Sequence, residues 1–239
     1  MDKFKQIADN LSAVKAKISD AALRSGRAAD SVTLVAVSKY LKKDDDAMHA
    51  LLAAECYDLG ESRPQTLLEK AEYFSKQKSK IRWHQIGSLQ KNKVRKILPH
   101  VSLVHSIDSA ELLETIDRIV GEESLPPAHG LLEINISGDV TKRGFSPRDI
   151  IFVLETISKL RHIRIDGLMC MSGLYSANKE RREEFAATRR LAEKLTPLCP
   201  NNCRMTKLSM GMSDDFPLAV QEGATIVRVG SLLFDGIKF

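Results

Sequence analysis

The sequence predicts a single (β/α)8 barrel with an extra helix at its amino end. Three observations predict it. At 239 residues the chain is long enough for one such barrel and does not require two domains. Roughly eight short apolar runs each precede a stretch of helical spacing. Small and polar residues gather at the carboxyl ends of those runs, where a barrel places its site.

Residues 4–24 carry Phe4, Ile7, Leu11, Val14, Ile18 and Ala21 at helical spacing, and Gly26 stops that helix. Residues 32–38 form a β-branched apolar run that reads as a buried parallel strand. A helix over 44–55, a strand over 57–60 and a helix over 64–75 opened by Pro64 follow. The alternation continues with a strand over 81–86, a helix over 92–98 and a strand over 102–107. A helix over 110–120 is capped by Asp108 or Ser109. The fifth strand is 130–136, followed by a helix over 147–160 capped by Ser146. The sixth strand is 164–169, and the longest and most charged helix spans 178–195. The seventh strand is 207–210, then a helix over 214–222 capped by Ser213, and the eighth strand is 225–229. Too few residues follow for an eighth outer helix, so the amino-terminal helix is expected to fill that place. The alternative is an open doubly wound sheet, weakened because no G-x-G-x-x-G follows the first strand.

The formal charge of +5 suits small anionic ligands and does not by itself imply nucleic acid. The basic run Lys91, Lys93, Arg95 and Lys96 reads as a solvated helix face. No apolar run reaches the ~18 residues of a membrane span, and the start lacks the apolar core of a signal peptide. Cys56, Cys170, Cys199 and Cys203 do not form a zinc-ligand pattern and read as free thiols. A cytoplasmic protein is expected, with no nucleic-acid or membrane partner.

Lys39 directly ends the first strand. An amine at a barrel mouth beside apolar walls is expected to be partly desolvated, which favours its neutral, nucleophilic form. Ser209-Met210-Gly211-Met212-Ser213 and Gly230-Ser231 follow the last two strands, the recurring phosphate position of these barrels. A lysine that can form an imine and a phosphate cradle together suggest a phosphorylated aldehyde. Arg228, two residues before Gly230, faces the same side and needs an acceptor. Two candidates are the pyridine nitrogen of pyridoxal 5′-phosphate (PLP) and a carboxylate such as Glu133. His84 and His105 are either acid–base groups or hydrogen-bonded core residues. Lys142 and Arg143, after the fifth strand, are placed to guide an anion in and out.

These residues resemble the YggS/PROSC-type PLP-binding proteins, also called PLP homeostasis proteins. The resemblance runs from Leu34 to Gly236. It rests on Val35-Ala36-Val37-Ser38-Lys39, Gly60-Glu61, His84-Gln85-Ile86-Gly87-Ser88-Leu89-Gln90-Lys91-Asn92-Lys93, Leu208-Ser209-Met210-Gly211-Met212-Ser213 and Val227-Arg228-Val229-Gly230. It implies a barrel similar to the alanine racemase N-terminal domain, with PLP as a Schiff base on Lys39. It further implies Arg228 at the ring nitrogen, phosphate held by Ser209, Gly211, Gly230 and Ser231, and a carrier or regulator without turnover. Met210 and His84 are expected beside the cofactor, as is Ser62, where the family usually has Asn. Tyr40 stands where the family often has Thr. Apo forms of PLP-dependent enzymes are the implied recipients, and a monomer is the expected state. An amino-acid racemase is the alternative. It would need a second base, which alanine racemases take from a separate domain that this sequence does not contain. An aldolase using Lys39 accounts less well for Arg228.

Overall fold

The computed structural model describes residues 2–77, 80–139, 143–173 and 176–237, so Lys142 lies outside the described residues. Eight parallel strands close into a barrel in chain order: β1 (Thr33–Val37), β2 (Asp58–Glu61), β3 (Arg82–Gln85), β4 (Val101–Ile107), β5 (Ala128–Glu133), β6 (Ile163–Met169), β7 (Cys203–Ser209) and β8 (Ile226–Val229). The ring shuts where Val35 of β1 pairs with Arg228 of β8. Around it stand α1 (Lys3–Arg24), α2 (Asp46–Ala53), α3 (Pro64–Ser75), α4 (Lys91–Ile97), α5 (Ala110–Glu122), α6 (Ile150–Lys159), α7 (Asn178–Leu195) and α8 (Phe216–Gln221).

The helix α1 takes the place in the outer ring that would follow β8. It packs against α2, α8 and the turn Ser231–Phe234. Ile7, Leu11, Val14, Ile18, Ala21 and Ala22 form its buried stripe. Polar ties reinforce that packing. Asn10 donates to the carbonyls of Leu233 (3.2 Å) and Asp235 (3.0 Å), and Arg27 donates to those of Val220 and Ala224. Asp2 caps the helix start, and Gly26, at φ +74°, lets Arg27 N–H bond back to Ala22 at its end.

Most boundaries fall within a few residues of expectation, and the exceptions have local causes. Strand β7 begins four residues before the expected start, because Cys203 and Met205 point inward while Arg204 and Thr206 face solvent. Ser109 caps α5 as expected. Ser146 holds only a turn, through Arg148 N–H, so α6 starts at Ile150. Ser213 does not cap α8: its hydroxyl accepts from Gly230 N–H, and the helix begins at Phe216.

Side chains alternate in and out along a strand, so the barrel interior is layered. One interior layer is Val35, Leu103, Leu131, Met169 and Ile226, a small core separate from the main core outside the strands. Two residues further along the chain stand Val37, His105, Glu133 and Arg228 and, just past the end of β6, Met171. Polar side chains, His105, Glu133 and Arg228, therefore enter the interior just above the apolar layer. No helix among the described residues is long and apolar enough to cross a membrane.

Leu11→Ala should destabilise the protein by about 2–5 kcal/mol, as cavity formation does in a packed core. Urea denaturation checks this; an unchanged midpoint would mean that α1 is not an integral part of the ring.

Candidate functional site

A cavity of about 480 Å³ opens at the carboxyl ends of the strands. Lys39, Ser62, Arg228, Gly230 and Ser231 line it, so five residues singled out in the sequence meet in one place. Tyr40, Glu133, Met171, Met212, Ser213 and Asp214 complete much of the rim.

The chain leaves the barrel at Lys39. Ser38, just before it, is fully buried and tightly held. Its N–H bonds to the Gly60 carbonyl, and its hydroxyl donates to Glu61 Oε1 at 2.7 Å. Lys70 of α3 donates to the Ser38 carbonyl at 2.8 Å and pairs with Glu61. Lys70 and Glu61 are almost wholly excluded from solvent. Burial pushes the Lys70 ammonium down, and the charge of Glu61 opposes that. Lys39 itself is exposed, with Nζ 4.9 Å from the centre of the Tyr40 ring. The expected partial desolvation of this lysine is therefore not found. The apolar wall ends at Val37, and the amine reaches past it toward an exposed aromatic face.

Arg228 forms part of the cavity floor and is buried. It donates through Nη1 to the carbonyl (2.8 Å) and hydroxyl (2.6 Å) of Ser209, and through Nη2 to the Cys170 carbonyl (3.1 Å). These bonds leave two of its five N–H donors for other partners. Burial lowers its pKa, partly offset by the charges of Asp215 and Glu133. Glu133 lines the same cavity without an ion pair to Arg228 among the described residues. Burial raises the Glu133 carboxyl, with the nearby Asp108 adding to the effect.

His84, Ser209, Met210 and Gly211 are not among the described lining residues. His84 lies deeper, between Asp58 and His105. Ser209 is buried beneath Arg228, and Met210 packs into the main core. Gly211 sits at φ +91°, and a Cβ there would lie 2.6 Å from the Ala219 side chain. Its part is to let the loop fold closely onto α8. Opposite, Gln85 holds the Ser62 loop by donating to the carbonyls of Ser62 (3.2 Å) and Gly87 (2.8 Å). A Cβ on Gly87 would come within 2.4 Å of the Ser62 carbonyl oxygen, so only glycine fits there. Arg143 pairs with Asp108 at 3.4 Å, close to the mouth.

The sequence reading passed over Lys70. A usable signal was present: Leu67, Lys70, Ala71 and Phe74 share the buried face of α3, so a lysine stands in an apolar stripe. A lysine there requires a buried partner, and Glu61 is the acidic residue at the neighbouring strand end. Lys70→Met should destabilise the fold by about 3–5 kcal/mol, because it leaves the Glu61 charge buried and unpaired. Adding Glu61→Gln should restore much of that loss in urea denaturation. Full stability of the single variant would contradict the pairing.

Residues 6–237 match the family profile described as "Alanine racemase, N-terminal domain". The chain is 37% identical over 228 residues to the pyridoxal phosphate homeostasis protein of Pseudomonas aeruginosa, covering 95% of this chain and 94% of the relative. It is 33% identical over 229 residues to the protein of the same name from Escherichia coli K12, covering 95% of each. Among solved structures, PipY of Synechococcus elongatus with PLP bound superposes with a TM-score of 0.81 at 36% identity, covering 95% of this chain and 99% of PipY. An alanine racemase from Clostridium difficile shares the fold alone, at 14% identity and a TM-score of 0.68, with 98% of this chain matched to 56% of that one. The chain belongs to the pyridoxal phosphate homeostasis protein family, on a barrel of the alanine racemase N-terminal type.

Proposed function

We propose that this protein binds PLP, holds it covalently on Lys39, and serves as a carrier or regulator of the coenzyme. The observation that carries the reading is the convergence of Lys39 and Arg228, from adjacent strands β1 and β8, on one cavity. The donor set fits the coenzyme: a primary amine, a buried guanidinium with unused donors, and two short loops rich in serine and glycine. PLP supplies an aldehyde that condenses with a lysine amine, releasing water.

Each residue has a part in that fit. Lys39 offers the nucleophile, on a backbone pinned by the Ser38–Glu61–Lys70 cluster. Arg228 offers N–H donors to the ring nitrogen from below and, remaining a cation, leaves that nitrogen without a proton. Such a ring is a weaker electron sink, which disfavours carbanion chemistry. Ser213, Gly230 and Ser231 face the phosphate end, the first two already joined at 3.3 Å. Ser209, Met210 and Gly211 support that end from beneath. Ser62 borders the ring on the opposite side, and His84 acts at one remove through His105.

The carrier reading is supported by relatives named as homeostasis proteins, whose lengths this chain matches at 94–95%. The racemase alternative draws on a structure of which the chain covers 56%. Apo forms of PLP-dependent enzymes are the proposed recipients, and a cytoplasmic monomer is the proposed state.

The purified protein should take up PLP with a visible absorption band, and Lys39→Ala should abolish that band while the protein stays folded. Incubation with L-alanine in deuterated water should give no exchange of the α-proton. Rapid exchange would favour the racemase, and an intact band in the Lys39 variant would overturn the assignment of the lysine.

A further inference from the structure

A continuous line of hydrogen-bonded side chains crosses the barrel interior from its amino end to the floor of the cavity. Asp58 Oδ1 lies 3.0 Å from His84 Nε2, and His84 Nδ1 lies 2.9 Å from His105 Nε2. His105 Nδ1 lies 2.8 Å from Ser209 Oγ, which accepts from Arg228 Nη1 at 2.6 Å. Both imidazoles and Ser209 are buried.

The two ends fix the direction of the whole line. A guanidinium can only donate, and an ionised carboxylate can only accept. Hydrogen bonds from Arg82 and His84 overcome the effect of burial and hold Asp58 down at about 2, so it is ionised at neutral pH. His84 must then donate to it from Nε2. A neutral His84 has only an acceptor left at Nδ1, so His105 must donate from Nε2. His105 then has only an acceptor at Nδ1, and the Ser209 hydroxyl must donate to it. Every proton points away from Arg228 and toward Asp58, and no other arrangement of two neutral rings satisfies all four contacts.

The surroundings favour a neutral ring at His105. Burial drives His105 well below its ordinary value, and the charges of Arg228 and Lys207 act the same way. Asp58 meets His84 from β2, and Arg82 holds Asp58 in place at 2.5 Å. Asp58 also borders a second cavity, at the amino ends of the strands.

We infer that His105 and His84 are positioning residues for the coenzyme's ring nitrogen, acting through Ser209 on Arg228. This rests on the reading of Arg228 as the ring-nitrogen partner. His105 commits the Ser209 proton, so the Ser209 oxygen is left as a fixed acceptor for Nη1. That acceptor and the two backbone carbonyls aim the remaining guanidinium donors. A neutral His105 also keeps a second cation away from Arg228.

The first test needs no coenzyme. In ¹⁵N-histidine-labelled protein at neutral pH, NMR should show both buried rings neutral and protonated at Nε2. A proton on Nδ1 of His105, or a charged His84, would overturn the inference. The second test is His105→Phe, which keeps the bulk and cuts the line. It should still form the visible band on Lys39, with PLP affinity about tenfold weaker and the pH midpoint of the band shifted. His105→Gln, which can both accept and donate, should recover part of the loss. Unchanged affinity and midpoint in a folded Phe variant would overturn the inference. If the Phe variant does not fold, the ring protonation measured in the unaltered protein decides alone. Failure of the unaltered protein to bind PLP would sink the coenzyme reading, whereas the NMR result bears on the relay only.

Discussion

A guanidinium buried inside a barrel constrains everything around it. Arg228 cannot shed its charge, so the fold must supply fixed acceptors at the right distance. It does so with the Ser209 and Cys170 carbonyls and the Ser209 hydroxyl, all at the ends of β6 and β7. Those contacts tie the last three strands together just below the mouth. They also leave two N–H donors on a side chain that lines the cavity, so one residue takes part both in the packing of the barrel and in the lining of the site.

A second polar cluster does comparable work on the other side of the β1–β8 seam. Glu61 and Lys70 bury opposite charges behind Ser38, and each holds an atom of that residue. A buried ion pair is weak evidence for stability, but it is effective at fixing geometry when its bonds are directional. Here it fixes the strand end from which Lys39 projects. The amine can therefore move on a flexible stem over Tyr40 while its anchor stays still. An exposed amine on a rigid base suits the role proposed for Lys39, loading and unloading PLP through an open mouth.

Much of the fold was legible in the sequence, because buried parallel strands read as short β-branched runs and their helices as apolar stripes. The spans of α3 and α7 agree with expectation to the residue. The start of β7 was hidden because Cys203 to Thr206 alternate in polarity instead of forming an apolar run. At the site, Lys39, Ser62, Arg228, Gly230 and Ser231 were legible because strand ends locate the mouth. The depth of each residue was not. Ser209 and His84 read as lining residues, yet they lie beneath the floor, since their partners come from strands distant in sequence. His105 meets Ser209 across 104 positions, a contact that no local pattern encodes. The exposure of Lys39 was equally hidden, because it depends on where the barrel wall ends.

The central claim is a covalent bond between the PLP aldehyde and Lys39. Borohydride reduction of the protein loaded with PLP, followed by peptide mapping, would locate that bond directly. The account predicts one reduced adduct, on the peptide containing Lys39. An adduct on a different lysine, or none in a protein that has bound PLP, would contradict it.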